Sequence, residues 1–231
     1  MRPLVATVLA LAVGVPLQGQ SLPPTVSAFL KAEGDEALAA AEVIGAGLTV
    51  EAVYQALRQG QSYSAEVPLG RQVRQRQNRD GRVHRYFYDI PEDYRPTQAY
   101  PVRFYLHGGV SRPEPTGSQG WWRGADRLTS DDYIAVFPAA WDQSTWWQSS
   151  QIENLRGILS TLKSAYNVDE NRVTITGVSD GGTGAYFFAF KDTTPWASFF
   201  PFIASPGVLL NPQVGADGRM HVANLINKPL Y

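Results

Sequence analysis

The chain has 231 residues, of which 44% are hydrophobic and 18% are charged, and its formal net charge is −1. This composition is typical of a globular protein with one domain, or with one domain and a small appendage. A net charge near zero argues against nucleic acid as a partner. Because the sequence contains no cysteine, a disulfide framework, a cysteine-ligated metal and a cysteine nucleophile are excluded.

Residues 1–19 have the layout of a secretory signal peptide. Arg2 supplies the early cation, an apolar run extends from Leu4 to Val15, and a polar stretch leads to a cleavage site near Gly19. The run is too short to span a membrane, and no later stretch approaches the ~20 apolar residues that a span needs. The sequence therefore predicts a secreted or periplasmic protein without stable membrane insertion.

Residues 20–61 are predicted to form a small helical appendage. Three segments rich in alanine, leucine and glutamate are separated by glycines, and Thr49 is placed to cap the third segment. From Ser62 the pattern changes to one of strands. Residues 62–231 are therefore predicted to form the main domain.

The main domain begins with a β-hairpin and continues with strands that alternate with helices. The hairpin is predicted from Gln72–Gln77 and Val83–Ile90, which flank Asp80-Gly81. The later elements are strand Pro101–Leu106, strand Ile134–Phe137, a helix with a capping box at Ser150 and Glu153, a β-branched strand around Ile175, helix Ala185–Phe190 and strand Phe199–Ala204. This alternation predicts an α/β fold with a mainly parallel sheet and helices on both faces.

A Gly-x-Ser-x-Gly motif at Gly177–Gly181 lies between the β-branched strand around Ile175 and the helical run that begins at Ala185. A serine on so sharp a strand-to-helix turn projects its hydroxyl from the end of the sheet, and the turn needs glycine on both flanks. Ser179 is therefore the candidate nucleophile. The alternative is a flexible Gly/Ser loop, but the flanking elements and an upstream His-Gly-Gly favour the elbow.

Acyl transfer at Ser179 also needs donors for the developing oxyanion. The backbone N–H of Asp180 is one candidate, and that of Gly109 or Val110, in the loop after an earlier strand, is the other. His107 is expected to shape this loop through a side-chain hydrogen bond, although by residue type alone it could also act as a base.

The general base and its orienting acid are harder to find. The only histidine after Ser179 is His221, and Asp217 stands four residues before it. The acid and the base should follow two separate strands, and a parallel crossover takes at least about a dozen residues. Asp217 and His221 are therefore not expected to complete a catalytic triad.

Several motifs resemble those of secreted α/β-hydrolase fold esterases. The similarity is to polyhydroxybutyrate depolymerase-like and to feruloyl or carboxyl esterases, and more distantly to prolyl oligopeptidase-like catalytic domains. It covers roughly residues 83–231 and is carried by Tyr-x-Ile-Pro-x-x-Tyr at 88–94, Leu-His-Gly-Gly at 106–109, Glu-Asn-Leu at 153–155, Tyr-Asn-Val-Asp-x-x-Arg-Val at 166–173 and Gly-Val-Ser-Asp-Gly-Gly at 177–182. These motifs are specific for the fold and not for the substrate.

The resemblance also implies that part of the fold is missing. In these esterases a strand beginning like Lys228-Pro229-Leu230-Tyr231 leads to a loop with the catalytic aspartate, and the histidine follows. The sequence is thus expected to be a fragment without its C-terminal strands, or a decayed homologue, with the fragment favoured. Without the triad Asp and His, the chain as given is expected to be inactive.

The expected activity is hydrolysis of a small-molecule or polymer-borne ester through an acyl-serine, with no cofactor and no metal. Trp146 and Trp147 follow a strand on the side of the sheet that bears the site, so they could bind an acyl or aryl group. Ordinary packing under the loops is the equally weighted alternative. A secreted serine peptidase and a non-catalytic binding homologue are the alternative functions.

Overall fold

The computed structural model describes residues 22–32, 36–117 and 120–231. The chain divides into two compact units, of which the larger contains Ser62–Tyr231. The smaller unit contains three helices, α1 (Pro24–Lys31), α2 (Glu36–Gly45) and α3 (Val50–Gln59). The signal peptide predicted at residues 1–19 lies outside the described residues.

Thr49 caps α3 as the sequence predicts. Its hydroxyl oxygen accepts a hydrogen bond from the Ala52 N–H at 3.2 Å, which satisfies one of the free donors of the first helical turn. Within the described ranges, no helix has both the length and the apolar character needed to cross a membrane.

The larger unit is built on one six-stranded mixed sheet. Its strands are β1 (Gly70–Gln77), β2 (Val83–Ile90), β3 (Tyr100–Leu106), β4 (Ile134–Pro138), β5 (Val168–Val178) and β6 (Ser198–Phe202), in the order β1-β2-β4-β3-β5-β6. β2 pairs antiparallel with β1 and β4, whereas the β3–β4, β3–β5 and β5–β6 pairs are parallel. The predicted leading hairpin and the mainly parallel sheet are confirmed.

The two faces of the sheet are covered differently. Helices α4 (Ser149–Ala165) and α5 (Asp180–Lys191) both pack into the main hydrophobic core on one face. A smaller cluster around Phe87, Tyr105 and Phe137 fills the other face beneath a 3₁₀ helix at Ala125–Leu128. The sequence predicts helices on both faces. Among the described residues, this short 3₁₀ helix is the one that covers the second face.

The capping box predicted for α4 is wrong. The residue at the N-cap is Gln148, and the Ser150 hydroxyl lies 3.0 Å from that of Ser144. The Glu153 carboxylate accepts a hydrogen bond from the Arg79 N–H in the hairpin turn at 2.8 Å. Ser150 therefore contacts the loop just before α4, and Glu153 fastens the start of α4 to the distant hairpin turn.

β6 receives a further parallel partner from the segment that the resemblance assigns to the next strand. The Phe199 N–H donates to the Pro229 carbonyl at 3.0 Å, and the Tyr231 N–H donates to the Phe199 carbonyl at 3.1 Å. The rings of Phe200 and Tyr231 stack with centroids 4.7 Å apart.

Candidate active site

Ser179 occupies a strained turn between β5 and α5. Its backbone has φ 56° and ψ −121°, a conformation that L-residues with a side chain rarely adopt. The turn is held because the Ser179 N–H donates to the Phe202 carbonyl at 3.0 Å and its carbonyl accepts from the Thr183 N–H at 2.9 Å. Ser179 is exposed, as a nucleophile must be.

The glycines on each side of Ser179 are required by close backbone approach. A Cβ on Gly177 would overlap the Gly181 carbonyl, and a Cβ on Gly181 would overlap the Leu106 carbonyl. The elbow is thus pressed against the end of β3, from which the His-Gly-Gly loop leaves.

The His-Gly-Gly loop lies directly beside the serine. A Cβ built on Gly108 would stand 3.1 Å from the Ser179 Cβ and 3.6 Å from its Oγ. The next residue, Gly109, has φ +71°, a left-handed conformation that glycine adopts without strain. The two segments that the sequence singles out are therefore in van der Waals contact.

His107 holds the loop in place with both ring nitrogens. Nε2 accepts a hydrogen bond from the Ala140 N–H at 3.0 Å, so Nδ1 carries the proton and donates to the Gly108 carbonyl at 2.8 Å. Burial lowers the pKa of His107, which favours this neutral form. Both nitrogens are occupied, so the contacts fit the loop-shaping role and leave no free nitrogen for Ser179.

The two loop N–H groups that are candidates for the oxyanion hole, those of Gly109 and Val110, differ in whether they are already hydrogen-bonded. The Val110 N–H donates to the Asp180 carboxylate at 3.0 Å, so it is not free to bind an oxyanion in this structure. No such hydrogen bond is formed by the Gly109 N–H within the described residues. The Asp180 N–H belongs to the first turn of α5, where amide groups have no partner in the helix and the helix dipole is positive. Gly109 and Asp180 are therefore the candidates whose N–H groups are left available in this structure, whereas the Val110 N–H is engaged by the Asp180 carboxylate.

Trp146 and Trp147 are packing residues in this structure. Trp146 is fully buried; its Nε1–H donates to the His107 carbonyl at 2.8 Å, and its Cβ would lie 2.5 Å from a Cβ on Gly184. Trp147 is 8% exposed and donates to the Val214 carbonyl at 2.5 Å. The substrate-binding role expected for both is therefore corrected, because each indole faces protein backbone.

Asp217 and His221 lie at the wrong end of α5 for catalysis. Asp217 accepts a hydrogen bond from Lys191, the last residue of α5, at 2.5 Å. The His221 carbonyl accepts from the Asn224 N–H, while the Asn224 side chain donates to the Phe190 carbonyl. Ser179 precedes the other end of this helix, about 18 Å away at 1.5 Å per residue.

His84 is equally unsuited to act on Ser179. It lies on β2, three strands from β5 in the sheet, which is about 14 Å at normal strand spacing. Its ring is fully buried at 5.1 Å from that of Trp141, and neither nitrogen has a hydrogen-bond partner. All 3 histidines of the sequence lie among the described residues, and no hydrogen bond joins the ring of His84 or of His107 to Ser179 there.

His84 is expected to make the protein sensitive to acid. Burial, reinforced by the Arg82 cation, lowers the pKa of His84 to about 4. The folded state therefore favours the neutral ring. The neutral His84 ring makes its full contribution to the free energy of unfolding above about pH 6.5, the ordinary histidine pKa in the unfolded chain. As the pH falls from 6.5 toward 4, the protein loses about 3 kcal/mol of that free energy.

We expect His84→Phe to remove that part of the acid sensitivity. The measurement is the free energy of urea unfolding at pH values from 7.5 to 4, compared with the native chain. His221→Gln is the control for loss of a histidine at an exposed position. Parallel pH curves for the native chain and His84→Phe would contradict the expectation.

Two features of the site were missed in the sequence. The Asp180 carboxylate ties α5 to the loop through Val110, and the Arg112 side chain lies over Gly109. Asp180 and Arg112 stand within or next to the motifs in the sequence. No local pattern indicated which way either side chain points. In the described part of the chain, no three metal-binding side chains converge.

Comparison with known proteins finds remote similarity to several solved structures. No protein-family profile matches the chain, and no curated protein is significantly similar to it. A thermostable esterase shares 22% identity over 58% of this chain and 41% of its own, with a TM-score of 0.47. An S-formylglutathione hydrolase from Staphylococcus aureus shares 16% identity over 69% of this chain and 72% of its own, with a TM-score of 0.49.

A ferulic acid esterase shares 18% identity over 68% of both chains, with a TM-score of 0.47. The matched part of this chain spans less than half the length of the thermostable esterase. The fold is assigned from the topology of this chain and not from these comparisons. The strand order, the leading antiparallel hairpin and the serine elbow between β5 and α5 give this chain the α/β-hydrolase fold.

Proposed function

We propose that this protein is a serine hydrolase that cleaves carboxylic esters through an acyl-serine intermediate, in the periplasm or outside the cell. The observation that carries the proposal is the exposed Ser179 on a strained elbow, in contact with a glycine loop. Strained non-glycine backbone persists only where the surrounding structure enforces it, and it is concentrated at functional sites. The location rests on the signal-peptide pattern of residues 1–19.

The chemistry proposed for Ser179 is ordinary acyl transfer. A base removes the hydroxyl proton while Oγ forms a bond to the ester carbonyl carbon, and the carbonyl oxygen becomes an oxyanion. The N–H groups of Gly109 and Asp180 would stabilise that oxyanion. The carbon–oxygen bond to the alcohol then breaks, the alcohol leaves with a proton, and water later hydrolyses the acyl-serine.

We further propose that the base and its orienting acid come from outside these 231 residues. The reason is geometric: His107 has both nitrogens occupied, His84 is buried, and His221 is beside the far end of α5. This chain should therefore hold an acyl group on Ser179 without efficient turnover. Esters are favoured over peptides as substrates for such a site, because an alkoxide leaves more readily than an amine that must be protonated.

The nucleophile can be tested in the 231-residue chain if imidazole in the buffer replaces the general base. We expect 4-nitrophenyl acetate to add one acetyl group, about 42 Da by intact mass, because 4-nitrophenolate leaves without needing a proton. Imidazole added to the buffer should speed this reaction, and peptide mapping should place the acetyl group on Ser179. Once imidazole is removed by buffer exchange, the adduct should persist, since its hydrolysis needs the same base.

Ser179→Ala should lose the imidazole-dependent acylation. Ser160→Ala is the matched control, since Ser160 is a half-buried serine on α4 and its removal should leave the rate unchanged. Equal acylation of Ser179→Ala and the native chain, or acetyl groups spread over several residues, would reject Ser179 as the nucleophile.

A further inference from the structure

An arginine side chain covers the loop that lies beside the nucleophile. A Cβ built on Gly109 would stand 3.5 Å from both Cζ and Nε of Arg112 and 3.6 Å from its Nη2. The guanidinium therefore lies just beyond the space that a side chain on Gly109 would occupy. Arg112 is nevertheless exposed, which leaves its donors open to a molecule arriving from solvent.

This guanidinium is close to the reacting hydroxyl. The Cβ position of Gly108 is 3.6 Å from Ser179 Oγ, and that of Gly109 is 3.5 Å from Arg112 Cζ. Consecutive Cα atoms are ~3.8 Å apart, so their Cβ positions are at most ~7 Å apart. Arg112 Cζ is thus at most about 14 Å from Ser179 Oγ, a span that an extended dicarboxylic acyl chain of medium length can cover.

The backbone that carries Arg112 is fixed on both sides. Its carbonyl accepts a hydrogen bond from the Asp142 N–H at 2.9 Å. Two residues earlier, the fully buried Val110 is bound to the Asp180 carboxylate. The position of the cation relative to Ser179 is therefore set by the same contacts that hold the glycine loop.

The charge of Arg112 is not neutralised within the described residues. No carboxylate there lies within 4.0 Å of its guanidinium. Among the neighbouring acidic groups, Glu114 is paired with Arg85 at 3.6 Å, and the Asp180 carboxylate accepts from Val110 at 3.0 Å. His107 is also nearby, and its burial lowers its pKa and so favours the neutral ring. Among the residues that the structure describes, Arg112 thus carries a positive charge without a carboxylate partner on the loop beside Ser179.

We propose that Arg112 selects ester substrates that carry a carboxylate a few bonds away from the reacting carbonyl. A guanidinium offers several donors in a plane and binds a carboxylate through charge-assisted hydrogen bonds. The inference rests on the proposed function of Ser179, and it adds the chemical class of the substrate.

The experiment compares charged and neutral activated esters of the same length. The charged probes are the mono-4-nitrophenyl esters of adipate and suberate, and the neutral probes carry a methyl ester at the far carboxyl. Acylation of Ser179 is followed by intact mass in imidazole buffer. We expect the native chain to react ~3- to 10-fold faster with the better-fitting charged probe than with its methylated form, the range for a partly exposed ion pair.

Arg112→Gln should bring the ratio of the charged-probe rate to the neutral-probe rate close to one, whatever the variant does to both rates in common. Arg112→Lys should keep part of the preference, because a point charge remains without the planar fork. Arg172→Ala is the matched control for loss of one positive charge. Arg172 is exposed and lies seven residues before Ser179 along β5, about 23 Å away. That variant should keep the native preference, and 0.5 M salt should weaken the preference in the native chain.

The outcomes separate the two proposals. If the neutral probes acylate Ser179 and the charged probes react no faster, the role of Arg112 is wrong and the serine hydrolase stands. If no probe acylates Ser179, the proposed function itself fails. A preference that survives Arg112→Gln would overturn the assignment to this residue.

Discussion

Replacing Gly181 with alanine is expected to destabilise the larger unit by about 3 kcal/mol, the upper part of the range for an overpacked site. The added Cβ would overlap the Leu106 carbonyl and approach the His107 carbonyl to 2.9 Å. Both are backbone atoms at the end of a central strand, so neither can rotate away. The strain must instead move α5, the loop or β3.

Urea unfolding followed by tryptophan fluorescence measures this effect. The six tryptophans are all in Ser62–Tyr231, so the signal reports on the unit that contains Gly181. Gly120→Ala is the control, because its Cβ would meet only the Thr116 carbonyl at an ordinary 3.5 Å. We expect that variant to stay within about 0.5 kcal/mol of the native chain. A loss below about 1 kcal/mol for Gly181→Ala would contradict the close approach of the elbow to β3.

The elbow could be predicted from sequence because it is a local structure. A β-branched strand, a Gly-x-Ser-x-Gly turn and an apolar helix are adjacent in the chain, and each restricts the same few backbone angles. The hairpin was predictable for the same reason, since the turn at Asp80-Gly81 and the two flanking strands are neighbours. Parallel pairing followed from the alternation of strands and helices.

The parts that failed depend on contacts between distant segments. Glu153 has the right spacing for a capping box, but the hairpin turn brings the Arg79 N–H within its reach. The Val110 N–H looked available in the sequence, but the first residue of α5 supplies a carboxylate to it. No local pattern contains that information, because each partner lies some seventy residues away.

Trp146 and Trp147 also show that the sequence does not reveal which way a side chain points. Their position after β4 correctly suggested the edge of the sheet that carries Ser179, since Trp146 binds the His107 carbonyl. The sequence did not reveal that Gly184 leaves room for the indole under the loop. A large aromatic residue near a site is thus placed by the cavity that its neighbours provide, and that cavity belongs to the assembled fold.

Trp146→Ala is expected to destabilise the larger unit by about 4 kcal/mol, as is typical of a fully buried tryptophan. Two losses contribute. The variant leaves a cavity between Gly184 and the loop, and it removes the Nε1–H donor from the buried His107 carbonyl. Trp122 is only half-buried, so Trp122→Ala is the control and should cost roughly half as much.

Trp146→Phe separates packing from substrate contact. It keeps an aromatic ring in the cavity and removes the hydrogen bond to the His107 carbonyl at 2.8 Å, so we expect a loss of about 1–2 kcal/mol. If the indole only supports the loop, acylation of Ser179 should fall equally for short and long acyl esters, because the oxyanion donors are displaced for both. A rate loss restricted to long or aromatic acyl groups, with stability unchanged, would instead return Trp146 to the substrate pocket. The buried ring predicts the first result, since a side chain with no exposed surface must move before any substrate can touch it.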